Sequence, residues 1–415
     1  MTQHIVIIGA SHAGVSCAEQ LRNLGFSGAI TLVDRQAGAP LERPPLSKSY
    51  LGSAPEEDEK FLLRRPEWYD KFQVTMIVGV AVDRIEPETH QIGLADGQSL
   101  NYDKLILATG AIPRTLPPAV GLGNVHVLRN PDDAAALRRA MQTAAAAVVI
   151  GGGYIGLEAA ASFCKAGLNV HVVEAADRLL ARVASPDMSS FFLDLHQRHG
   201  VLIHTGMTGT KINHKDGIFT GITLDTGQQI SANFLLVGIG VAPDRVLADA
   251  AGAAIGNGIL VDRQMRSTID DVYAIGDVAL IEGVVLRIES VHNAQDTAAR
   301  AAADITKTPM PDMAVPWFWS EQYDVRLQSA GIVPVGKDDL RYAVRPGKRE
   351  GGMSVWSYDQ DRLVAVEAVH DPAAYMLGKK CLENNLSPAP SDAADPAFDL
   401  KTFATGASGV QQDGV

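Results

Sequence analysis

With 415 residues, 46% hydrophobic and 20% charged, the chain has the profile of a globular protein of two or three domains. Its net charge of −12 speaks against a nucleic-acid partner, whose phosphates require a basic surface. The longest apolar run, residues 144–150, is far short of the roughly 20 residues of a membrane helix. The first residues lead straight into an apolar stretch with no basic leader, so a cytoplasmic protein without a membrane partner is expected.

Residues 4–9 read as a short β-branched strand ending on Gly9, the pattern of a buried parallel strand. The turn Gly9-Ala10-Ser11-His12-Ala13-Gly14 follows, then an Ala/Leu-patterned helix to about Leu24, then a strand over 29–34 ending on Asp34. Strand, tight turn, helix, strand and terminal acid make a βαβ unit that offers helix amides to a pyrophosphate and a carboxylate to a ribose. The middle glycine of GxGxxG is replaced here by Ser11, and taken alone the motif is weak. Residues 104–110, KLILATG, form a second buried strand with small residues at its end.

Residues 147–150 form another strand, followed by Gly151-Gly152-Gly153-Tyr154-Ile155-Gly156, a full GxGxxG. An Ala-rich helix and a strand over 169–174 follow, and that strand ends on Glu174. Two cradles in one chain suggest two dinucleotides, and the usual chemical reason is hydride transfer between them. Farther on, the strand over 271–277 carries Gly276 and Asp277 at its carboxyl end, where doubly wound sheets bind ligands. There Asp277 is placed to bond the ribityl hydroxyls of a flavin. Strand-like segments at 325–335, 341–346, 353–358 and 362–369 mark a C-terminal domain.

These residues, with ERPPLSK at 42–48, ATGAIPR at 108–114, GGGYIGLE at 151–158, GIG at 238–240 and VPWFWS at 315–320, resemble the two-dinucleotide flavoprotein reductases. Within that group the chain is similar to the ferredoxin reductases of bacterial oxygenase systems. The resemblance implies an α/β fold of glutathione-reductase-like architecture: two Rossmann-like domains and a C-terminal α+β domain. The expected division is 1–109 with 237–312 for FAD, 110–236 for NADH, 313–400 for the C-terminal domain, and a flexible tail over 401–415.

The same resemblance implies site residues. Lys48 is expected near the flavin N5 region, where its charge favours the anionic reduced flavin, with Glu158 beside it near the nicotinamide. Read without the resemblance, Glu158 is an acid in the first turn of its helix, favourable to the helix dipole. Gly9, Ser11, His12, Ala13, Gly14, Asp34, Arg35, Arg43, Pro45, Val82, Ala108, Thr109, Gly110, Arg129, Gly276, Asp277, Ser290, Val291 and Trp319 are expected around FAD. Gly151, Gly153, Tyr154, Ile155, Gly156, Glu158, Glu174, Arg182, Gly238, Ile239 and Gly240 are expected around the nicotinamide cofactor. Glu174 accepts from the 2′-hydroxyl of NADH and repels the 2′-phosphate of NADPH, so NADH is the expected coenzyme. Trp317 and Trp319 are expected over the flavin or at a docking surface, facing opposite sides of their strand.

Cys17, Cys164 and Cys381 form no CxxC, metal set or disulfide framework. The first two read as buried helix residues and Cys381 is unassigned. Disulfide reductases of this architecture carry a redox cysteine pair in the region that here, at 41–50, reads LERPPLSKSY. Thiolate chemistry needs a thiolate. Reduced FAD is therefore expected to pass electrons outward, to a [2Fe–2S] ferredoxin serving a terminal oxygenase, from a monomer or weak dimer. Rival readings are an NADH oxidase or quinone reductase, an interaction flavoprotein, and, least favoured, a flavin monooxygenase. Arg64-Arg65 and Lys379-Lys380 are candidates for a basic docking patch.

Overall fold

The computed structural model describes residues 3–406, apart from 285, 335 and 338. The chain divides into two compact units. One comprises the chain up to Leu46, Ser53–Pro113 and Val241–Met313; the other comprises Ser47–Gly52, Arg114–Gly240 and the chain from Ala314 onward.

In the first unit the strand His4–Ile8 is central, because its β-branched residues can be buried on both faces; Ile5, Val6 and Ile7 are fully buried. Each such side chain contributes roughly 1.5–3 kcal/mol of apolar burial. Parallel strands Ala29–Asp34 and Lys104–Leu107 flank it, with Val74–Val78 and Val272–Ala274 beyond them. All run the same way, so their carboxyl ends share one edge. Helices His12–Asn23 and Val291–Thr306 pack against each other through small buried residues such as Ala18, Ala298 and Ala301. An antiparallel ribbon, Val82–Glu86, Gln91–Leu94 and Ser99–Asn101, completes this unit with the short Gly258–Val261 sheet.

The second unit repeats the design. Ala146–Ile150 lies between parallel strands Asn169–Glu174 and Phe234–Val237, with Leu202–Thr205 and Val125–His126 outermost. Its antiparallel ribbon is Gly209–Lys215, Ile218–Leu224 and Gln229–Ser231. The same unit holds an antiparallel sheet in the order Trp317–Gln322, Val325–Gly331, Arg362–Val369, Met353–Asp359, Leu340–Pro346. Helix Pro372–Glu383 packs on it and buries Cys381.

The strand read over 325–335 stops at Gly331, whose φ of +77° turns the chain; a Cβ there would stand 2.1 Å from the Val364 carbonyl oxygen. The segment expected to be a flexible tail, 401–415, begins inside a helix, Leu400–Ala404, with Leu400 and Ala404 buried. The rest of that expectation, at 407–415, lies outside the described residues. Among the described residues no helix is long and apolar enough to cross a membrane.

Candidate active site

The first glycine turn is built to a tolerance that only glycine meets. Gly9 adopts φ +108°, and a Cβ there would lie 2.3 Å from the Ala108 carbonyl oxygen; at Gly14 a Cβ would lie 1.9 Å from the Gly9 carbonyl oxygen. Gly9 N–H donates to the Val33 carbonyl at 2.8 Å and Ala108 N–H to the Ile8 carbonyl at 2.8 Å, locking the turn to its neighbours. Helix His12–Asn23 begins at Ser11, yet the Ser11 side chain makes no capping hydrogen bond and the first turn holds no acid. Ser11 Oγ instead accepts from Arg43 Nε at 3.2 Å, and Arg43 also donates to Gln36 Oε1 at 3.2 Å. Gly276, at φ +71°, brings its turn so close that a Cβ would meet the Ala13 Cβ at 2.8 Å. Its N–H donates to Thr297 Oγ1 at 2.9 Å.

The second turn copies the first almost atom for atom. Gly151 has φ +112°, its Cβ would lie 2.3 Å from the Gly238 carbonyl oxygen, and a Cβ at Gly156 would lie 2.2 Å from the Gly151 carbonyl oxygen. Gly151 N–H donates to Val173 at 2.8 Å and Gly238 N–H to Ile150 at 2.7 Å. Helix Tyr154–Lys165 likewise starts without a side-chain cap or first-turn acid. Neither helix start thus carries a side-chain cap or a first-turn acid, whereas Ser185, Ser290, Asn130 and Asp371 cap theirs. Such ends fit a pyrophosphate. The middle position resolves the Ser11 departure: a Cβ at Gly153 meets no atom within 4 Å. The protein's own packing therefore does not demand glycine there, and a serine fits.

The two terminal acids brace these turns. Asp34 accepts from Ala10 N–H at 2.6 Å and Gln36 N–H at 2.8 Å; Glu174 accepts from Gly152 N–H at 2.6 Å and Ala176 N–H at 2.8 Å. A carboxylate has about four lone-pair sites, so each keeps capacity for ribose hydroxyls while fixing the loop that approaches the phosphate. Arg182 lies beside Gly240, where a Cβ would stand 3.3 Å from the guanidinium. Arg35 pairs with Asp244 at 3.1 Å, and Thr109 Oγ1 donates to the Asp244 carbonyl at 2.6 Å. The Gly110 carbonyl accepts from Asp244 N–H at 2.9 Å.

Within the second unit, Lys48 and Glu158 meet. Lys48 Nζ lies 2.8 Å from Glu158 Oε2, the carboxylate only 4% exposed. Glu158 is in the second turn of its helix, not the first, and its burial rules out the solvated helix-dipole role. Ser47 Oγ donates to Oε2 at 2.5 Å and Ser320 Oγ to Oε1 at 2.6 Å. Every donor a buried carboxylate needs is thus supplied, one of them cationic. Neither serine was singled out from the sequence, because they lie 111 and 162 positions from Glu158.

Trp317 and Trp319 do not face opposite sides: their ring centroids are 5.5 Å apart. Side chains alternate with period two along a strand, so residues i and i+2 share a face. Phe318, Ser320 and Gln322 take the other face, where Phe318 packs on Tyr154 at 4.6 Å between centroids. Ile155 is exposed, and His12, Pro45, Val82, Arg129, Ser290, Val291 and Ile239 are half-buried. Arg129 contributes a backbone N–H to Asp133 at 2.9 Å at the Pro131–Met141 helix start, and Arg287 donates to the Asp277 carbonyl.

Cys17 and Cys381 are buried, and burial pushes their thiols up to about 12 and about 11. Cys164 is half-buried rather than buried, because it lies near the end of its helix, where its Sγ donates to the His199 carbonyl at 3.0 Å. Among the described residues no cluster of three or more His, Cys, Asp or Glu is arranged to hold a metal.

The family model described as pyridine nucleotide-disulphide oxidoreductase matches residues 3–298, and one described as reductase C-terminal matches 317–404. Rhodocoxin reductase of Rhodococcus erythropolis is 43% identical over 96% of this chain and 93% of its own length. A ferredoxin–NAD(P)(+) reductase of Sphingomonas is 38% identical over 97% of each chain. The reductase in the covalent putidaredoxin reductase–putidaredoxin complex is 36% identical with a TM-score of 0.92, over 98% of this chain and 99% of that one. With two matched cradles, no cysteine at 41–50 and this likeness along nearly its whole length, the chain belongs to the pyridine nucleotide-disulphide oxidoreductase family, in its branch of FAD- and NADH-dependent ferredoxin reductases.

Proposed function

We propose that this enzyme passes electrons from NADH through FAD to a [2Fe–2S] ferredoxin that feeds a terminal oxygenase. The observation that carries this is the duplicated, uncapped glycine turn in a chain whose 41–50 segment has an ion-paired lysine and no sulfur. When bound, FAD supplies the conversion of a two-electron hydride into single electrons. Residues 1–109 and 237–312 hold FAD, 110–236 hold NADH, and 313–400 form the C-terminal domain.

The amides after Gly9, together with Arg43, bind the FAD pyrophosphate; Asp34 takes a ribose hydroxyl and Asp277 the ribityl chain. The amides after Gly151 bind the NADH pyrophosphate, and Glu174 takes the adenine ribose. Lys48, aimed by Glu158, lends positive charge to the flavin as it is reduced. The Trp317/Trp319 face contacts the flavin or the docked ferredoxin. The protein acts as a monomer or weak dimer in the cytoplasm.

The test is steady-state turnover with NADH against a panel of [2Fe–2S] ferredoxins, read by cytochrome c reduction, with oxygen and quinone controls. Rapid reduction only when a ferredoxin is added is the expected result. Equal rates with quinone or oxygen alone would instead identify a small-molecule acceptor.

A further inference from the structure

Behind Glu158 runs a chain of side-chain hydrogen bonds that the hydride-transfer reading does not use. Tyr323 Oη lies 3.3 Å from His196 Nδ1, His196 Nε2 lies 2.7 Å from Gln322 Oε1, Gln322 Nε2 lies 3.2 Å from Ser320 Oγ, and Ser320 Oγ lies 2.6 Å from Glu158 Oε1. His196, Gln322 and Ser320 are each at most 1% exposed. They come from two elements far apart in sequence, helix Pro186–Arg198 and strand Trp317–Gln322.

The charge on Glu158 fixes the direction of every bond. A carboxylate can only accept, so the single hydroxyl proton of Ser320 goes to Oε1. Ser320 Oγ is then the acceptor toward Gln322, which must present its NH₂ there and its carbonyl oxygen to His196. His196 therefore carries its proton on Nε2 and accepts at Nδ1 from the Tyr323 hydroxyl. Burial holds this imidazole neutral, its pKa pushed down to about 4, as that tautomer requires. The Gln322 hydrogen bond opposes that lowering and the neighbouring His199 adds to it; the His199 ring stacks on Tyr323 at 3.6 Å. An amide in the middle does not relay protons, so the chain orients and does not conduct. Aligned donors polarise one another, and all four point at one carboxylate oxygen.

The geometry points to His196 and Gln322 as positioning residues for the reduction of the flavin: through Ser320 they hold Glu158 Oε1 in place and so set the angle at which Oε2 presents Lys48. This rests on the reading of Lys48 and Glu158 given above. Apolar replacement of Gln322 removes the donor that holds Ser320 Oγ, and apolar replacement of His196 frees the Gln322 amide to turn away from Ser320; either weakens one charge-assisted bond, an effect of roughly tenfold in rate.

The test is anaerobic stopped-flow reduction of the FAD-loaded enzyme by NADH, followed by bleaching of the flavin. Measured well below each variant's melting temperature, His196→Leu and Gln322→Met should lower the limiting rate about tenfold at unchanged NADH affinity and FAD content. His196→Gln, whose amide can donate to Gln322 and accept from Tyr323, should restore the rate to within about twofold. If His196→Leu does not retain FAD, Gln322→Met and Ser320→Ala carry the comparison. Unchanged rates in these variants beside a slow Glu158→Gln enzyme overturn the inference alone. So does a His196→Gln enzyme as slow as His196→Leu, or losses that track melting temperature and FAD content. A Glu158→Gln enzyme with normal flavin reduction overturns the reading of Glu158 itself, and the inference with it.

Discussion

The role proposed for Glu174 joins structure to coenzyme choice in one side chain. Its two backbone hydrogen bonds hold the Gly152 and Ala176 amides, so removing the carboxylate loosens the glycine turn as well as the ribose contact proposed above. Glu174→Ala should raise the NADH KM at least about tenfold, the worth of one or two hydrogen bonds to a charged acceptor. It should also narrow the preference over NADPH, since the repulsion of a 2′-phosphate disappears. Comparing kcat/KM for the two coenzymes in both enzymes measures this; a wild type that prefers NADPH would contradict the assignment. The acid itself was legible from its spacing to Gly156. Its second task as a brace was not, because backbone donors leave no mark in a sequence.

At the scale of elements, the two turns differ at their middle residue alone in the motif's glycine positions. Gly153 faces open space, whereas a Cβ on Gly156 would strike the Gly151 carbonyl. Gly153→Ser should therefore leave the melting temperature nearly unchanged. Gly156→Ala should destabilise the protein by about 1–3 kcal/mol, because the atom in the way is backbone and cannot rotate aside. Thermal or urea unfolding of the two variants separates these outcomes. The βαβ units were readable because β-branched runs, glycines and terminal acids stand at fixed local spacings. The tryptophan pair was misread because the period of a strand was applied one residue out of step. The Glu158 cluster stayed hidden because its partners, Ser47 and Ser320, are brought in by folding.

For the whole molecule, two buried groups oppose each other in their dependence on pH. Glu367 is fully buried, accepts from Ser185 N–H at 3.1 and 3.3 Å, and is raised to about 7 chiefly by burial, with Arg178 opposing and Asp187 adding to the rise. The folded state then binds a proton that the unfolded state releases, so this contribution is complete below about 4.5 and is lost as pH rises through about 7. His196 acts in the other sense: lowered from 6.5 to about 4, it contributes fully above 6.5, and that stability is lost as pH falls toward 4. Glu367→Gln keeps an acceptor for Ser185 without the charge. It should raise stability above pH 7, by on the order of 3 kcal/mol at most, and leave the acid-side loss from His196 in place. Denaturant titrations from pH 5 to 8 test both slopes; an unchanged alkaline limb in Glu367→Gln would count against the Glu367 assignment.

The segment Ser47–Gly52 carries a consequence for protein engineering. Although it precedes the second glycine turn by a hundred residues, it belongs to the same compact unit as Glu158 and supplies two of the donors on that carboxylate. A transplant of residues 114–240 from another reductase, made to change coenzyme preference, would therefore move an acid without its lysine and serine. Such a chimaera has a natural minimal cargo: the cassette, the six-residue loop at 47–52, and the strand that carries Ser320.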